Sequence, residues 1–583
     1  MVCADRIYSE DYEDHIVEYY GDEQYLYQKY PDACFQIVSE RYAIAYTKSG
    51  SMDNYVGDGS FIIPHCYGLM SSEQVLESSG ILRTQRQPAL SLFGQGVMIG
   101  FIDTGIDYTH PAFLGSDNTT RIYSIWDQSI EPDDTNRGRI PEGFAFGQEY
   151  TREDINDALS SDNPWEIVPS RDLNGHGTFA AGVACGSSIE SKAFSGVAPL
   201  ADICVVKCKE AKNSLKRFYR ITTNEPVYAE NDILLAVRYL WETANKRNRP
   251  LVICLGLGTS MGGHEQGGVL GRYLQTVGDY RGVTVVTSCG NEANTSHHYR
   301  SDMVSPGTDV QVEVRVGSNN GFMIELWSEA PYLYAVALTS PNGEYSGKIQ
   351  AGLGEKRHID FILDDTVVDV EYLLFAYESG DECIQIRFDN PSVGIWNIRV
   401  FNENDATGFF DMWLPIRNFL PETTYFLKAD PDVTLCDPSN NTNLISASYY
   451  NSSNRSVAIN SSRGYTRLGY IKPDIASPGI DVYGPLPYVG NKYPGTEEER
   501  MLLTRFGYMN GSSGACAVTA GAAALLLEWG IVRKNDISMN TVKVQKYLIR
   551  GADASGMSGV NRLWGNGTLY LYGVFESLIS GRS

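Results

Sequence analysis

The chain has 583 residues, 43% of them apolar and 20% charged, ordinary globular usage that argues against a largely disordered chain, a collagen-like repeat or a small disulfide scaffold. Lys and Arg number 47 against 71 Asp and Glu, a net charge of −24, which argues against a nucleic-acid partner and against docking on an acidic membrane surface. Eleven cysteines are spread from Cys3 to Cys516; Cys204 and Cys208 have no second pair to complete a zinc site, and most of the eleven read as reduced, buried packing residues.

The N-terminus, MVCADRIYSEDYEDHIVEYY, is acidic and lacks the basic start and apolar stretch of a signal peptide. Between 14 and 67, HIVEYY reads as a strand and EQYLYQKY as a short helix. ACFQIVS and YAIAYTKS follow as two strands, SMDNYVGD as a turn and FIIPHCYG as a last strand. Ser71 with Gln74 resembles a capping box that opens a new helix, so the chain changes unit at about 66–72. From about 92 to 306, VMIGFID, ADICVVKC, LVICLGLG and VTVVTSCG are near-continuous apolar strands. They alternate with helices such as NDILLAVRYLWETANK, which predicts a parallel α/β sheet. From about 308 to 432 the texture changes to short alternating strands separated by Gly, Asn and Asp turns, a β-sandwich or jelly-roll signal. The α/β texture resumes near Asn443, so the β unit is expected to be an insertion. The uncharged run Gly507–Leu527 contains Asn510, Ser512, Ser513 and Thr519; it reads as a buried helix of a soluble protein and not as a membrane span.

Four short segments carry possible chemistry. Asp103 ends an apolar strand in Asp103-Thr104-Gly105, where an open parallel sheet gathers functional groups; taken alone it is equally a turn Asp. It would also fit an aspartic protease, but no second D-T/S-G occurs and that reading needs a dimer. His176, in Asn174-Gly175-His176-Gly177-Thr178, opens a helix of very small residues and has its backbone closely approached on both sides; alone it is a loop histidine. Ser513, in Gly511-Ser512-Ser513-Gly514-Ala515, opens an apolar helix whose free N–H groups and dipole would favour an oxyanion; alone it is an N-cap. Asn291, in Ser288-Cys289-Gly290-Asn291-Glu292, follows a strand and could donate its amide; alone it is a turn residue. The spacing Gly94-x-Gly96-x-x-x-Gly100 precedes its strand, so it does not fit a dinucleotide loop, and no H-E-x-x-H zinc motif occurs.

In the order Asp, His, Asn, Ser these segments resemble the subtilisin-like serine proteases, peptidase family S8. The motifs are GFIDTGIDYTHPAF, NGHGT, GVAP, CGNE, IKPDIASPG and GSSGACAVTAGAAALLL, spanning roughly 76–306 and 434–583. The resemblance implies an α/β, three-layer core with a parallel sheet and a catalytic trio. Ser513 would be the nucleophile, His176 the base and then the acid, and Asp103 the group that orients His176. Asn291 and the Ser513 N–H would form the oxyanion hole. Leu255, Gly256, Leu257 and Gly258 match the segment that pairs with the substrate backbone, so a protein or peptide substrate should bind extended. Glu292 falls where the family has a pocket-floor residue, implying a preference for a basic or polar residue before the cut.

Gly514 and Ala517 replace the Met and Pro usual after the family's serine, with Cys516 between them. Ala112 stands where many members carry a calcium-binding Asp, so no metal and no other cofactor is expected. The run GACAVTAGAAALLLEWGIV, the later VQKYLIRGA and the ending LWGNGTLYLYGVFESL are similar to the Csp-type germination proteases of clostridial spores. That branch carries a jelly-roll insert and a short prodomain, cleaves the zymogen of a spore-cortex hydrolase, and includes members that have lost catalytic residues and act as signalling pseudoproteases. The expected organisation is therefore a prodomain at 1–67, a catalytic core at 68–307 and 433–583, and an inserted β domain at 308–432. The prodomain would lie in the cleft and be cut by the enzyme itself within Cys66, Tyr67, Gly68, Leu69, Met70 and Ser71. The chain is expected to be a monomer, made in the cytoplasm and held in a spore compartment. A pseudoprotease that binds a partner, or a rigid scaffold whose β insert is the binding module, are the alternatives.

Overall fold

The structure is a computed structural model that describes residues 3–19, 23–49, 61–69, 76–132, 137–376 and 379–580. The SMDNYVGD turn, the Ser71–Gln74 pair and the Met70–Ser71 end of the expected cleavage region lie outside the described residues.

Strands β1 (Tyr12–Glu18), β2 (Cys34–Ile37), β3 (Tyr42–Lys48) and β4 (Phe61–Ile62), with helix α1 (Glu23–Lys29) between the first two, make a four-stranded sheet in the order β2-β3-β1-β4. FIIPHCYG does not form one strand, as its sequence suggested. It splits into β4 and β5 (Cys66–Leu69), which join different sheets. The break contains Pro64, which has no N–H to give to a ladder.

The core follows the apolar runs closely. Its strands are β6 (Met98–Asp103), β7 (Ile122–Asp127), β8 (Gln148–Thr151), β9 (Asp202–Lys207), β10 (Tyr228–Ala229), β11 (Leu251–Leu255), β12 (Leu257–Gly258) and β13 (Val283–Ser288). Among them run helices α2 (His176–Cys185), α3 (Glu230–Lys246) and α4 (Gly268–Gly278). The strands of two antiparallel sheets come next, six and four strands wide, from His298–Arg300 to Tyr425–Phe426. These sheets share one apolar interior that includes Val312, Ile324, Ile386 and Trp396. The first of their strands starts ten residues or so before the change of texture, because His298–Arg300 pairs with Asp411–Trp413. The core then resumes with β14 (Ile445–Asn451), β15 (Ser456–Val457), β16 (Ile475–Pro478) and helix α5 (Ser512–Leu527).

The large sheet runs β15-β14-β13-β11-β6-β9-β7-β8, with β16 also on β14. From β14 to β7 every neighbour is parallel. Strand β6 has β9 and β7 on one side and β11, β13 and β14 on the other, so Asp103 ends the strand at which the winding reverses. All residues of β6, β11 and β13 are buried, which is why these runs are mostly apolar and not alternating.

Helix α5 is buried at every position and packs on α2 and across β11, β13 and β14. Each Leu or Val so buried is worth about 1.5–3 kcal/mol. The stretch Ser512–Val532 is long and apolar enough to cross a membrane, but 83% of its most apolar window is buried inside the protein. The N-terminal sheet rests on α3 and α4: Ile16, Ile44 and Tyr46 share a cluster with Leu234, Val237 and Leu274. Charged groups cross the same contact, with Lys212 Nζ 2.5 Å from Asp14 Oδ1 and Lys209 Nζ 4.0 Å from Asp14 Oδ2. Cys3 and Cys34 form a disulfide within this unit, and eight other cysteines are buried thiols.

Candidate active site

Asp103 is 2% exposed at the end of β6. Thr104 N–H donates to its Oδ1 at 2.7 Å, and His176 Nδ1 lies 2.7 Å from Oδ1 and 2.9 Å from Oδ2. A carboxylate there holds the ring proton on Nδ1 and leaves Nε2 as the basic nitrogen. His176 is the first residue of α2, which is buried throughout. The following glycine is obligatory for packing: a Cβ on Gly177 would stand 2.2 Å from Gly105 O, so the start of the helix presses directly on the turn after Asp103.

A second carboxylate fixes this junction. Asp172 is 1% exposed and accepts five donors. Its Oδ1 takes the Thr104 hydroxyl at 2.9 Å, Asn174 N–H at 3.1 Å and Gly175 N–H at 2.8 Å. Its Oδ2 takes Thr178 N–H at 2.9 Å and the Thr178 hydroxyl at 2.7 Å. Thr104 Oγ1 in turn accepts Gly177 N–H at 2.9 Å. The strand end that bears Asp103 and the helix start that bears His176 are thereby tied through one buried anion.

Ser513 is the second residue of α5, and its Oγ donates to Gly256 O at 3.0 Å. Ser513 and His176 converge on Gly256: a Cβ there would lie 3.0 Å from Ser513 Oγ and 3.3 Å from His176 Cε1. Asn291, after β13, accepts Ser512 N–H on its Oδ1 at 3.0 Å, which places its amide group beside the start of α5. At the departures from the familiar pattern, Gly514, Cys516 and Ala517 are all buried. Cys516 Sγ reaches Leu255 O and Val286 O at 3.5 and 3.4 Å, bridging the end of β11 and the middle of β13. Its contact with Cys254, together with burial, pushes the Cys254 thiol up.

The predicted substrate-pairing segment divides into the end of β11 (Leu255), the junction Gly256 and strand β12 (Leu257–Gly258). Strand β5 lies antiparallel between β10 and β12. Leu69 pairs with Leu257 and Gly68 with Gly258; Tyr67 pairs with Tyr228 and Cys66 with Ala229. One step beyond the paired end of β12 is Gly256, beside the serine. Glu292 follows Asn291 but is only 3% exposed. Its Oε2 accepts Arg417 N–H at 3.1 Å, from the β insert. Burial pushes its carboxyl up to about 7, partly offset by that N–H.

Sequence reasoning missed Asp172, Thr104, Thr178 and Glu230. Asp172 could have been found, because an Asp two residues before an Asn-Gly pair can accept the N–H groups two and three residues on. Glu230 carries no local signal beyond its place at the start of α3.

The fold and these side chains define an α/β protein that gathers a carboxylate, an imidazole and a serine hydroxyl at the carboxyl ends of a parallel sheet. A family model described as the subtilase family matches residues 94–323 and 424–567. The chain belongs to the subtilase family, the subtilisin-like proteases. The structure of the Clostridium perfringens CspB protease is similar at a TM-score of 0.73 and 28% identity, over 86% of this chain and 98% of that one. Fervidolysin from Fervidobacterium pennivorans, a keratinolytic enzyme related to subtilisin, shares the fold at a TM-score of 0.50 and 12% identity, over 97% of this chain and 61% of that one. Subtilisin-like protease SBT2.2 of Arabidopsis thaliana is 34% identical over 131 residues, 20% of this chain and 15% of that protein. The chain thus spans a small part of that curated relative.

Proposed function

We propose that the chain is a serine endopeptidase that cuts extended polypeptides and processes itself. His176 Nε2 takes the proton of the Ser513 hydroxyl as Oγ leaves the Gly256 carbonyl and bonds to the scissile carbonyl carbon. Asp103 holds the imidazole and stabilises its charged form. The Asn291 amide and the Ser513 N–H receive the oxyanion, assisted by the start of α5. His176 then gives its proton to the leaving amine, and water releases the acyl group by the same steps.

The observation that carries this reading is the antiparallel seating of β5 on β12, ending beside Gly256 and Ser513. It supports residues 1–67 as a prodomain whose tail occupies the cleft as a product-like strand, and a cut between Cys66 and Ser71. The shared apolar interior of the two antiparallel sheets supports 308–432, with His298–Arg300 paired onto it, as an insert in a catalytic domain of 68–307 and 433–583. For cleavage in trans we propose the zymogen of a spore-cortex hydrolase, on the resemblance to Csp-type proteases. Any preference for a basic residue before the cut, if it rests on Glu292, should strengthen as pH rises through about 7 and disappear in Glu292→Ala.

The test is purification of wild type and Ser513→Ala, followed by intact mass and labelling with a fluorophosphonate probe. Wild type should split near 66–71 and label at Ser513; Ser513→Ala should remain one unlabelled chain. Cleavage at that place in pure Ser513→Ala sinks self-processing, and unlabelled wild type sinks the enzyme in favour of a binding protein.

A further inference from the structure

The chain that enters the cleft is gripped well before the position of the cut, at two places that lie outside the strand pairing just described. The first is Ile63. It packs on an apolar cluster to which the core gives Val227, Ala229 and Met261 and the β insert gives Met323, Ile416 and Phe419. The second is His65. The antiparallel register of Tyr67 with Tyr228 and Cys66 with Ala229 brings His65 opposite Glu230, whose N–H donates to His65 O at 3.0 Å. The Glu230 carboxylate is fully buried. Its Oε1 accepts Leu270 N–H at 3.0 Å, and its Oε2 accepts His65 N–H at 3.1 Å and lies 3.6 Å from His65 Nδ1. The other side of the His65 ring faces Gly262, where a Cβ would come within 3.6 Å of Cε1. A carboxylate withdrawn from water and already anchored by a backbone N–H is a demanding partner. It rewards a backbone N–H and a proton-bearing side chain, and it is left exposed to a desolvation loss by a proline or an aliphatic residue there.

We propose that this is a substrate-recognition site, shared by the core and the β insert, that selects polypeptides carrying an apolar residue at the position of Ile63 and a histidine or other cationic donor at the position of His65. The proposal rests on the reading of β5 as substrate-like. It gives the insert a part in choosing substrates: its apolar residues complete the first subsite and Glu230 forms the second.

The experiment uses a mixture of peptides spanning residues 60–75 of this sequence, unchanged or with the Ile63 position changed to Asp, or the His65 position changed to Ala or Pro, offered together to one enzyme. Ratios of cleavage within the mixture do not depend on how much enzyme is active. Wild type should favour the unchanged peptide about tenfold over each changed one. Glu230→Gln should bring the His/Ala ratio to within about twofold and leave the Ile/Asp ratio alone; Phe419→Ala should do the reverse. Equal cleavage of all peptides by wild type that labels with the fluorophosphonate overturns this site without touching the proposed activity. Hydrogen exchange in the uncut Ser513→Ala chain tests the same grip with no turnover. Glu230→Ala should speed exchange across 61–69 about tenfold while Leu251–Leu255 is unchanged, and unaltered exchange across 61–69 overturns the proposal even if no activity exists.

Discussion

Replacing Asp172 by Asn preserves shape and removes one charge from the junction between Asp103 and His176. In the structure its two oxygens accept three N–H groups and two hydroxyls. Bonds to a charged acceptor are worth about 1.5–3 kcal/mol each against about 0.5–1.5 for neutral ones, so the charge alone accounts for several kcal/mol across the set. An asparagine also turns a donor nitrogen toward one of the two groups. If it faces Thr178, the Thr178 N–H is orphaned in a buried place, costing about 1–3 kcal/mol more; the hydroxyl can rotate but already accepts Asp107 N–H at 2.9 Å. A loss of about 3 kcal/mol or more is expected, a large fraction of the stability of an ordinary domain. The first turn of α2 should shift relative to Asp103, and a misplacement of about 1 Å costs on the order of 100-fold in rate. Urea unfolding and kcat/KM on an extended peptide, measured on Asp172→Asn and on Thr104→Val, check both effects. Thr104→Val removes one of the five bonds and should fall between wild type and Asp172→Asn. An Asp172→Asn protein with unchanged denaturation midpoint and unchanged kcat/KM would refute the idea that this carboxylate sets the geometry.

Gly256→Ala puts a methyl group 3.0 Å from Ser513 Oγ and 3.3 Å from His176 Cε1; kcat should fall on the order of 100-fold with little change in melting temperature, and labelling by the fluorophosphonate should slow in parallel. Burial pushes the Glu382 carboxyl up to about 8, against the Tyr334 N–H and Ser328 hydroxyl that lower it. Below about 4.5 both states carry the proton; between about 4.5 and 8 only the folded state keeps it, so stability falls as pH rises through that window. Glu382→Gln should flatten this fall by a few kcal/mol, measured by urea unfolding at pH 5 and pH 8, and an unchanged slope would count against it. Arg467 is buried against Glu265 and Asp381 and donates to Gly263 O at 2.9 Å. Arg467→Leu strands the buried Asp381 carboxylate and the partly buried Glu265 and should cost about 3–5 kcal/mol, seen as a lower melting temperature; a neutral result would mean that the insert is not held through this pair.

Much of the molecule follows from local pattern. The apolar runs around 98–103, 202–207, 251–255 and 283–288 became parallel strands because a strand covered on both faces is filled mainly by apolar side chains. The largely apolar segment after Ser512 became a central helix for the same reason. The motif residues Asp103, His176, Asn291 and Ser513 were legible because each sits at a strand end or helix start, where composition changes abruptly. The break between β4 and β5 was less legible, since Pro64 only removes a donor and does not say which sheet the next residues join.

What only the folded molecule decided are the meetings of residues far apart in the chain. Asp172 looks like a turn residue until Thr104 and Thr178 are brought to it, and Glu230 looks like a helix-start acid until His65 arrives from a segment 165 residues earlier. Glu292 acquires its raised carboxyl from burial, partly offset by the Arg417 N–H that the insert supplies. Sequence determines where backbone and apolar periodicity favour a strand or a helix, because those preferences act over a few residues. The environment of a charge depends on which distant surfaces exclude water from it, and that is settled only when the sheets and helices close.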